Sequence, residues 1–388
     1  MKTDEALALL KRGAAQIISE SELCEKLALG RPLRVKLGVD PTSADIHLGH
    51  AVVLRKLRQF QDLGHQAVLI IGDFTGMIGD PSGRSATRPH LTHKEVMENA
   101  QTYREQAFKI LDPAKTETVC NGDWFRSMSY EDVLRLNSRV TLQQMLQRED
   151  FRTRVDNQQA IHAHEIQYPI MQGWDSVMVR ADVELGGTDQ LFNILVGRDF
   201  QREEKQPQQV VLTMPLLEGL DGVKKMSKSL GNFVGVSEAA ADMFGKLMSI
   251  SDELMARYYE LVLGRDLPRG ANPLEAKKQL AFEIVQTYHS KAVAEKTLSD
   301  WNARFSQKRL DEADLPVFPA GSDEAVSIVA SAYSQAFSIK KSRTDASRLI
   351  KQGSVQLDGE KIVDPKARIS LRSGQVLRLD KTHAVRIK

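Results

Sequence analysis

The feature that most constrains the fold is a continuous apolar run, AVLIIGDF, at Ala67–Phe74. A strand without alternation between apolar and polar residues is buried on both faces, which is typical of a parallel sheet covered by helices. Apolar residues at helical spacing flank this run at residues 51–64 and 94–111. Further strand patterns occur at Arg34–Val39 and Glu117–Cys120. This order of strands and helices predicts a parallel, doubly wound α/β sheet.

The chain is long enough for more than one domain. Its 388 residues exceed the usual size of a single hydrophobic core, so two or three domains are expected. We predict an α/β domain with a helical insertion at residues 1–232, beginning with an amphipathic helix in residues 1–30. A helical region with a Pro- and Gly-containing linker, Leu310–Asp323, is predicted at residues 233–323, and a small α+β domain at residues 324–388.

Charge is distributed unevenly along the chain. Residues Ser338–Lys388 contain thirteen Lys and Arg against five Asp and Glu, a surplus of +8. Because the whole chain carries +2, Met1–Phe337 carries −6. A mildly acidic body with a basic terminal module is typical of a protein with a nucleic-acid partner.

The composition does not indicate a membrane or secreted protein. There is no run of about 18 apolar residues, and the first residues, MKTDEALALLKRG, lack the apolar core of a signal peptide. The two cysteines, Cys24 and Cys120, have no metal-ligand spacing and are expected to be reduced and buried. We therefore expect a cytoplasmic protein with no membrane partner and no protein-held metal.

A short motif, HLGH at His47–His50, lies between the first of these strands and the next helix. In a doubly wound sheet, ligands bind at the carboxyl ends of the strands, and a helix amino terminus favours phosphate. Gly49 would let an adenine ring lie close to the backbone, and His47 and His50 can donate hydrogen bonds to phosphate oxygens. For this motif alone, a chance surface pair of histidines is the alternative.

A second motif, KKMSKS at Lys224–Ser229, precedes Leu230-Gly231-Asn232. Lysines on a mobile loop can close over a polyphosphate and neutralise departing pyrophosphate, although a solvated basic loop is also common. An HxGH motif near the start of an α/β domain, followed much later by KMSKS, is far more specific. On these two motifs the chain resembles the class I aminoacyl-tRNA synthetases, which implies a Rossmann-like catalytic domain.

Four further segments resemble the bacterial tyrosyl branch of that family, in the subgroup with an intact KMSKS motif: LGVDPTSADIHLGH (Leu37–His50), IIGDFTGMIGDPSGR (Ile70–Arg84), YPIMQGWD (Tyr168–Asp175) and ELGGTDQLFNI (Glu184–Ile194). The resemblance implies an ATP site made of Gly38, Asp40, His47, Gly49, His50, Gly187, Asp189, Gln190, Lys225, Met226, Ser227, Lys228 and Ser229. It implies a tyrosine site made of Asp40, Asp80, Tyr168, Gln172, Asp175 and Gln190. The residues expected to act on the reacting phosphates are His47, His50, Lys225 and Lys228.

The residue types also suit these roles on chemical grounds. An α-ammonium group requires carboxylate and amide acceptors, such as Asp80 and Gln172. A phenol hydroxyl in a pocket requires a fixed acceptor such as Asp175, and a ribose diol an acidic residue beside a glycine turn, such as Asp189. Each residue alone has an ordinary structural explanation, so the interpretation depends on the ordered set. The resemblance departs at Lys36, where many family members have a tyrosine that also contacts the substrate hydroxyl.

The basic terminal region resembles a second known module, the S4 RNA-binding domain, over residues 337–379. A basic helix beside a small sheet suits contacts to the backbone of structured RNA. A strand pair is predicted about Asp358-Gly359, and regular apolar residues such as Leu349 and Ile350 disfavour the alternative of a solvated basic tail. The residues expected to contact RNA are Lys340, Lys341, Arg343, Arg348 and Lys351.

The resemblance implies a reaction in two steps. ATP, with Mg²⁺ held mainly by its phosphate oxygens, activates tyrosine to tyrosyl-adenylate, and the tyrosyl group then passes to the 3′ end of tRNA(Tyr). Positioning and charge stabilisation supply the rate, without a protein nucleophile. A homodimer built through the helical part of the catalytic domain, an anticodon-reading helical domain at about residues 233–308 and no DNA partner are also implied.

Three alternatives remain open from the sequence. A tryptophanyl-tRNA synthetase shares the fold and both motifs, although Asp175 would then face an indole edge and the S4-like module would be unexpected. A small-molecule nucleotidyltransferase also uses HxGH but has no use for the helical and S4-like domains. A non-catalytic RNA-binding protein descended from a synthetase would be expected to have lost motif residues.

Overall fold

The computed structural model describes residues 3–41, 45–81, 92–303, 315–380 and 383–388. The chain divides into two compact units, Met1–Ala294 and Glu295–Lys388. The domain boundaries predicted after residues 232 and 323 divide the chain more finely and stay predictions. Among the described residues, no helix combines the length and the apolar character needed to cross a membrane.

A six-stranded sheet forms the centre of the first unit. Its strands are β1 (Gln16–Ile18), β2 (Arg34–Val39), β3 (Gln66–Ile71), β4 (Thr116–Cys120), β5 (Val183–Gly187) and β6 (Val210–Met214). They lie in the order β1-β6-β5-β2-β3-β4, and all except β1 run parallel. In this register Lys36 of β2 lies opposite Val68 of β3 on one side and Glu184 of β5 on the other. The predicted parallel, doubly wound α/β sheet is confirmed.

Helices connect and cover these strands. They are α1 (Thr3–Lys11), α2 (Glu20–Leu27), α3 (Leu48–Asp62), α4 (Thr75–Ile78), α5 (His93–Ala107), α6 (Gly122–Phe125), α7 (Tyr130–Asn137), α8 (Leu142–Met145), α9 (Glu149–Asp156), α10 (Ala163–Met178) and α11 (Leu191–Glu203). Helix α3 buries Leu54, Leu57 and Phe60 and ends before Gly64, whose φ of +91° a residue with a side chain would adopt only with strain.

Two local predictions for this unit are wrong. Residues 1–30 do not form a single helix, because β1 separates α1 from α2. Three residues are too few to show a strand period, and the antiparallel ladder with β6 creates this strand. Cys24 and Cys120 are free thiols as expected, but both are only partly buried.

Four more helices follow the sheet, and the helical pattern predicted for this region is confirmed for the described residues. They are α12 (Ala240–Met248), α13 (Asp252–Leu261), α14 (Pro273–Tyr288) and α15 (Lys291–Trp301). Helix α14 buries Leu280, Ile284 and Tyr288, the apolar stripe that recurs at helical spacing in the sequence.

The second unit is a small α+β module. Its elements are β7 (Val317–Phe318), β8 (Gly321–Glu324), α16 (Ala325–Phe337), α17 (Arg343–Lys351), β9 (Gln356–Leu357), β10 (Glu360–Lys361), β11 (Arg368–Leu371), β12 (Val376–Arg378) and β13 (Ala384–Ile387). One sheet has the order β10-β9-β12-β13-β7, and β11 pairs with β8. The strand pair predicted about Asp358-Gly359 is confirmed, and both residues have positive φ as this turn requires.

The linker predicted at Leu310–Asp323 lies partly outside the described residues, which omit residues 304–314. Its described part is not a free linker, because β7 pairs with β13 and β8 pairs with β11. Pro316 and Pro319 flank β7 at the edge of its sheet, where a missing N–H breaks no ladder. Prolines that look like linker residues in the sequence therefore bound a short edge strand.

Candidate active site

A cavity of about 720 Å³ opens at the carboxyl ends of β2, β3 and β5. This is the edge of a doubly wound sheet at which ligands bind. Every residue predicted for the ATP and tyrosine sites lines this cavity except Lys228. The fold thus brings together side chains that lie far apart in the sequence, between Leu37 and Leu230.

The two histidines of the HLGH motif form the first turn of α3. Their rings stack with centroids 3.8 Å apart, and the main-chain N–H of His47 donates to Nδ1 of His50 over 3.3 Å. Burial, the neighbouring imidazole and Lys228 lower the pKa of His47 to about 2. Burial and Lys228 lower the pKa of His50 to about 4. Both rings are therefore neutral near pH 7, and each carries one N–H donor.

The space beside these rings is limited. A Cβ atom on Gly49 would lie 3.0 Å from the ring of His47, so a larger residue would displace the imidazole. Among the described residues, the buried Nδ1 of His47 has no hydrogen-bond partner. This nitrogen is buried beside Gly49, and a buried polar atom is rarely left unpaired.

The lysine motif lies beside these histidines, with Met226 next to Gly49. The main-chain N–H of Leu48 donates to Val234 O and that of Val236 to Ile46 O, each over 3.0 Å, so the segment after the lysine motif is joined to the histidine motif. Asn232 accepts a hydrogen bond from the main-chain N–H of Ser227 over 2.8 Å. The base of the loop is therefore fixed by backbone and amide contacts.

Both lysines of the predicted phosphate-facing set are paired with carboxylates. Lys225 Nζ lies 3.4 Å from Asp189 Oδ2, and Lys228 Nζ lies 2.9 Å from Asp45 Oδ2. Burial raises the pKa of Asp189, and Lys225 opposes that rise. The pairing with Asp45 accounts for the absence of Lys228 from the cavity lining.

A continuous chain of hydrogen bonds crosses the other end of the cavity. Tyr168 and Thr75 donate to the two carboxylate oxygens of Asp40, each over 2.8 Å. Asn121 donates to Thr75 Oγ1 over 2.9 Å and to Asp175 Oδ2 over 3.3 Å. This chain joins the ends of β2 and β4 to α4 and α10, so the five side chains hold one another in place.

Asp175 is the innermost member of this chain, with 3% of its surface exposed. Its second oxygen accepts a hydrogen bond from Trp124 Nε1 over 3.0 Å. Burial raises the pKa of Asp175 to about 7, although Lys36, Asn121 and Trp124 each act to lower it. The carboxyl group therefore titrates near neutral pH in a fixed orientation.

Asp80 is held from two directions. Gln190 Nε2 donates to one of its oxygens over 2.7 Å, and Arg148 Nη2 donates to the other over 3.1 Å. Asn193 Nδ2 in turn donates to Gln172 over 2.8 Å and to Gln190 over 3.2 Å. The side chains predicted to accept hydrogen bonds from a substrate ammonium group are thus held by their neighbours. Arg148 directly precedes α9, Gln190 directly precedes α11 and Asn193 lies in α11.

Several residues of this site were not predicted from the sequence: Thr75, Asn121, Trp124, Arg148 and Asn193. Asn121 directly follows β4, and the rule that ligands bind at strand ends would have selected it. Arg148 and Asn193 act through Asp80 and Gln172, and no local pattern signals such contacts.

In the second unit, the residues predicted to contact RNA surround α17. Lys340, Arg343, Arg348 and Lys351 are exposed, and Ala346 and Ile350 on the other side of the helix are buried. Arg343 lies 2.8 Å from Glu324, and Arg348 lies 3.4 Å from Asp345. Lys341 Nζ lies 5.6 Å from the centre of the Tyr333 ring. One side of the helix is therefore basic and accessible.

The titration of Asp175 has a measurable effect on stability. Its folded-state pKa lies above the ordinary value of about 3.9, so its contribution to folding is complete at low pH and is lost as pH rises through about 7. An Asp175→Asn variant lacks this loss. Relative to the parent protein, its free energy of unfolding should increase by a few kcal/mol between about pH 4 and pH 7, because each unit of pKa shift is worth about 1.4 kcal/mol.

Chemical denaturation across this pH range measures the difference. The exposed Asp62→Asn variant controls for removal of one carboxylate. A difference between Asp175→Asn and the parent that does not change with pH would contradict the assigned environment.

Comparison with known proteins bears on the identity of this site. The family model described as tRNA synthetases class I (W and Y) matches residues 28–314. "Tyrosine--tRNA ligase" of Oleidesulfovibrio alaskensis is 51% identical to this chain, covering 100% of this chain and 99% of the relative. "Tyrosine--tRNA ligase" of Shewanella oneidensis is 50% identical, covering 96% and 95%.

Solved structures share the fold. The tyrosyl-tRNA synthetase of Archaeoglobus fulgidus, complexed with L-tyrosine, superposes with a TM-score of 0.62 at 22% identity, covering 76% of this chain and 100% of that one. A C-terminally truncated mitochondrial tyrosyl-tRNA synthetase of Aspergillus nidulans gives a TM-score of 0.64 at 19% identity, covering 78% and 99%. The chain therefore belongs to the class I tRNA synthetases of the tryptophanyl and tyrosyl family, and within it to the bacterial tyrosine--tRNA ligases.

Proposed function

We propose that this chain activates tyrosine with ATP and transfers the tyrosyl group to tRNA(Tyr), using the cavity at the carboxyl ends of β2, β3 and β5 for both steps. The observation that carries the proposal is the hydrogen-bond chain that ends at Asp175, in the same cavity as the stacked histidines and the lysine motif. A phenol acceptor at one end and phosphate donors at the other suit tyrosine and ATP together.

In the first step, the phenol hydroxyl of tyrosine donates to Asp175, and the ammonium group is held by Asp80, Tyr168 and Gln172. A carboxylate oxygen of tyrosine bonds to the α-phosphorus, and the bond from that phosphorus to pyrophosphate breaks. The neutral imidazoles of His47 and His50 donate to oxygens whose charge grows in the transition state. No proton has to be removed by the protein.

The remaining ATP contacts come from the strand ends and the loop. Gly38 and Gly49 lie against the adenosine, Asp189 accepts from the ribose hydroxyls, and Lys225 and Lys228 neutralise the departing pyrophosphate. For this, each lysine exchanges its carboxylate partner for phosphate. Mg²⁺ arrives with ATP, bound to phosphate oxygens.

In the second step, a hydroxyl of the terminal ribose of tRNA attacks the acyl carbon of tyrosyl-adenylate. The new ester bond forms as the bond between that carbon and the phosphate oxygen of AMP breaks. The basic side of α17 holds the tRNA backbone, and helices α12–α15 are the proposed anticodon-reading region. These roles are supported by the exposed charge of α17 and by the likeness of the full chain to tyrosine--tRNA ligases.

A homodimer in the cytoplasm is part of this proposal. Helices α7–α9 expose a group of large apolar side chains, and groups of this kind usually mark interaction surfaces. The group consists of Tyr130, Leu134, Leu142 and Val155. Tyrosine rather than tryptophan is the proposed substrate, because the relatives that match this chain over its whole length are tyrosine--tRNA ligases.

The phenol contact gives the most direct test of the substrate. Phenylalanine has no hydroxyl group to bond to the buried Asp175 carboxyl, and tyrosyl-tRNA synthetases are the known example in which such a site separates the two substrates by about 10⁵-fold. An Asp175→Ala variant should lose most of that discrimination and most tyrosine-dependent ATP–pyrophosphate exchange, with little change in the KM for ATP. The exposed Asp123→Ala variant is the matched control. Unchanged preference for tyrosine would remove Asp175 from this role.

The lysine motif should act on the transition state rather than on ground-state binding. Single Lys225→Ala and Lys228→Ala changes should lower the rate of adenylate formation by about 10²-fold or more, with modest change in tyrosine affinity. Lys224→Ala, an exposed lysine of the same loop outside the cavity lining, should have little effect. Adenylate formation at the parent rate in Lys228→Ala, measured by single-turnover kinetics, would contradict this assignment.

The basic side of α17 should matter for tRNA alone. A double Arg348→Ala, Lys351→Ala variant should exchange pyrophosphate at the parent rate but charge tRNA poorly. A plot of the logarithm of its tRNA affinity against the logarithm of salt concentration should also be less steep. The slope should decrease by about one unit for each lost phosphate contact. An Arg202→Ala, Lys205→Ala variant removes the same charge from the first unit as a control. Parent-like charging by the α17 variant at physiological salt would exclude this surface.

A further inference from the structure

A lysine is buried in the centre of the sheet, directly behind the tyrosine end of the cavity. Lys36 has no exposed surface, and Glu184 beside it is 1% exposed. Lys36 Nζ lies 2.9 Å from Glu184 Oε1, and it donates to Ser176 Oγ over 2.7 Å and to the main-chain oxygen of Gln172 over 2.9 Å. An ion pair buried this completely costs about as much in desolvation as it returns, so stability alone does not explain it.

Two of the three groups that Lys36 binds belong to α10. This helix also carries Asp175, which directly precedes Ser176, and the substrate-facing side chain of Gln172. The ammonium group therefore ties β2 to α10 at the turn that presents the phenol acceptor. These hydrogen bonds add to those that Tyr168 and Asp175 make from the same helix, and together they fix its rotation against the sheet.

Glu184 continues the same network from β5. It accepts hydrogen bonds from Ser176 Oγ over 2.9 Å, from Gln172 Nε2 over 3.2 Å and from Gln209 Nε2. The side chain of Gln172 is thus oriented by Glu184, and its main chain by Lys36. The pair therefore holds Gln172, and Ser176 next to Asp175, although neither Lys36 nor Glu184 lines the cavity.

The two charges also act on Asp175 in opposite directions. Lys36 lowers its pKa and Glu184 raises it, and these are the charged groups that face it from β2 and β5. The other groups that face it are the neutral donors Asn121 and Trp124, near the end of β4. Burial is the main cause of the raised pKa of Asp175, and this ion pair modulates that pKa from behind the cavity.

We infer that Lys36 and Glu184 are a positioning pair for tyrosine recognition, which orients α10 and sets the charge of the Asp175 carboxyl group from behind the cavity. The inference rests on the proposed function. Many family members have a tyrosine in place of Lys36, and that tyrosine contacts the substrate hydroxyl directly. In this chain, Lys36 acts on recognition of the hydroxyl indirectly.

Opposite shifts from two single variants test this pair. Lys36→Met removes the positive charge, so the pH midpoint of the tyrosine-over-phenylalanine ratio in kcat/KM should rise. Glu184→Gln removes the negative charge, so the same midpoint should fall. Each shift should be about one pH unit, equivalent to tenfold in the ionisation equilibrium. The KM for ATP should stay unchanged in both variants.

A merely structural role predicts a different result. Loss of packing alone would lower the thermal stability of both variants and leave both midpoints in place, and this outcome would overturn the inference. Shifts in the same direction would overturn it as well. The parent protein is assayed first, so absence of tyrosine-dependent exchange there would contradict the proposed function instead.

The double Lys36→Met, Glu184→Gln variant covers the case in which a single variant fails to fold, because it leaves no unpaired buried charge. Its midpoint should lie near that of the parent, whereas its KM for tyrosine should rise about tenfold or more because α10 has lost its hydrogen bonds to Lys36. A double variant with the parent KM for tyrosine and the parent selectivity would overturn the inference.

Discussion

Polar side chains at the carboxyl edge of the central strands are largely buried and bond to one another, because a buried polar group without a partner is costly. The chain from Tyr168 through Asp40, Thr75 and Asn121 to Asp175 satisfies this requirement across the cavity. Side chains that hold one another in this way lose little freedom when a substrate binds. Folding of the sheet therefore places these side chains in the orientation in which they bind the substrate.

The two ends of the cavity use charge differently. In the proposed reaction, His47 and His50 are kept neutral by burial and act as phosphate donors, whereas positive charge comes from Lys225 and Lys228. At the tyrosine end, the acceptor is a buried carboxyl group whose ionisation is balanced by neighbouring charges. Stabilisation of the transition state and choice of the amino acid thus depend on separate groups within one cavity.

Much of this arrangement follows from local patterns in the sequence. Apolar runs and helical spacing predict the parallel sheet, and the parallel sheet places motifs such as HLGH at one edge. Long-range effects were not predictable in the same way. The strand at Gln16–Ile18 depends on its ladder with β6, and Arg148 acts through a residue far from it in sequence. The partner of Lys36 follows only from the register of β2 against β5.

The central property proposed for this cavity is the selection of tyrosine through a fixed acceptor for its hydroxyl. ATP–pyrophosphate exchange, measured with the full-length protein and each proteinogenic amino acid in turn, tests it most directly. We expect rapid exchange with tyrosine, and exchange lower by several orders of magnitude with phenylalanine and tryptophan. Comparable exchange with either of those amino acids, or no exchange with tyrosine, would contradict it.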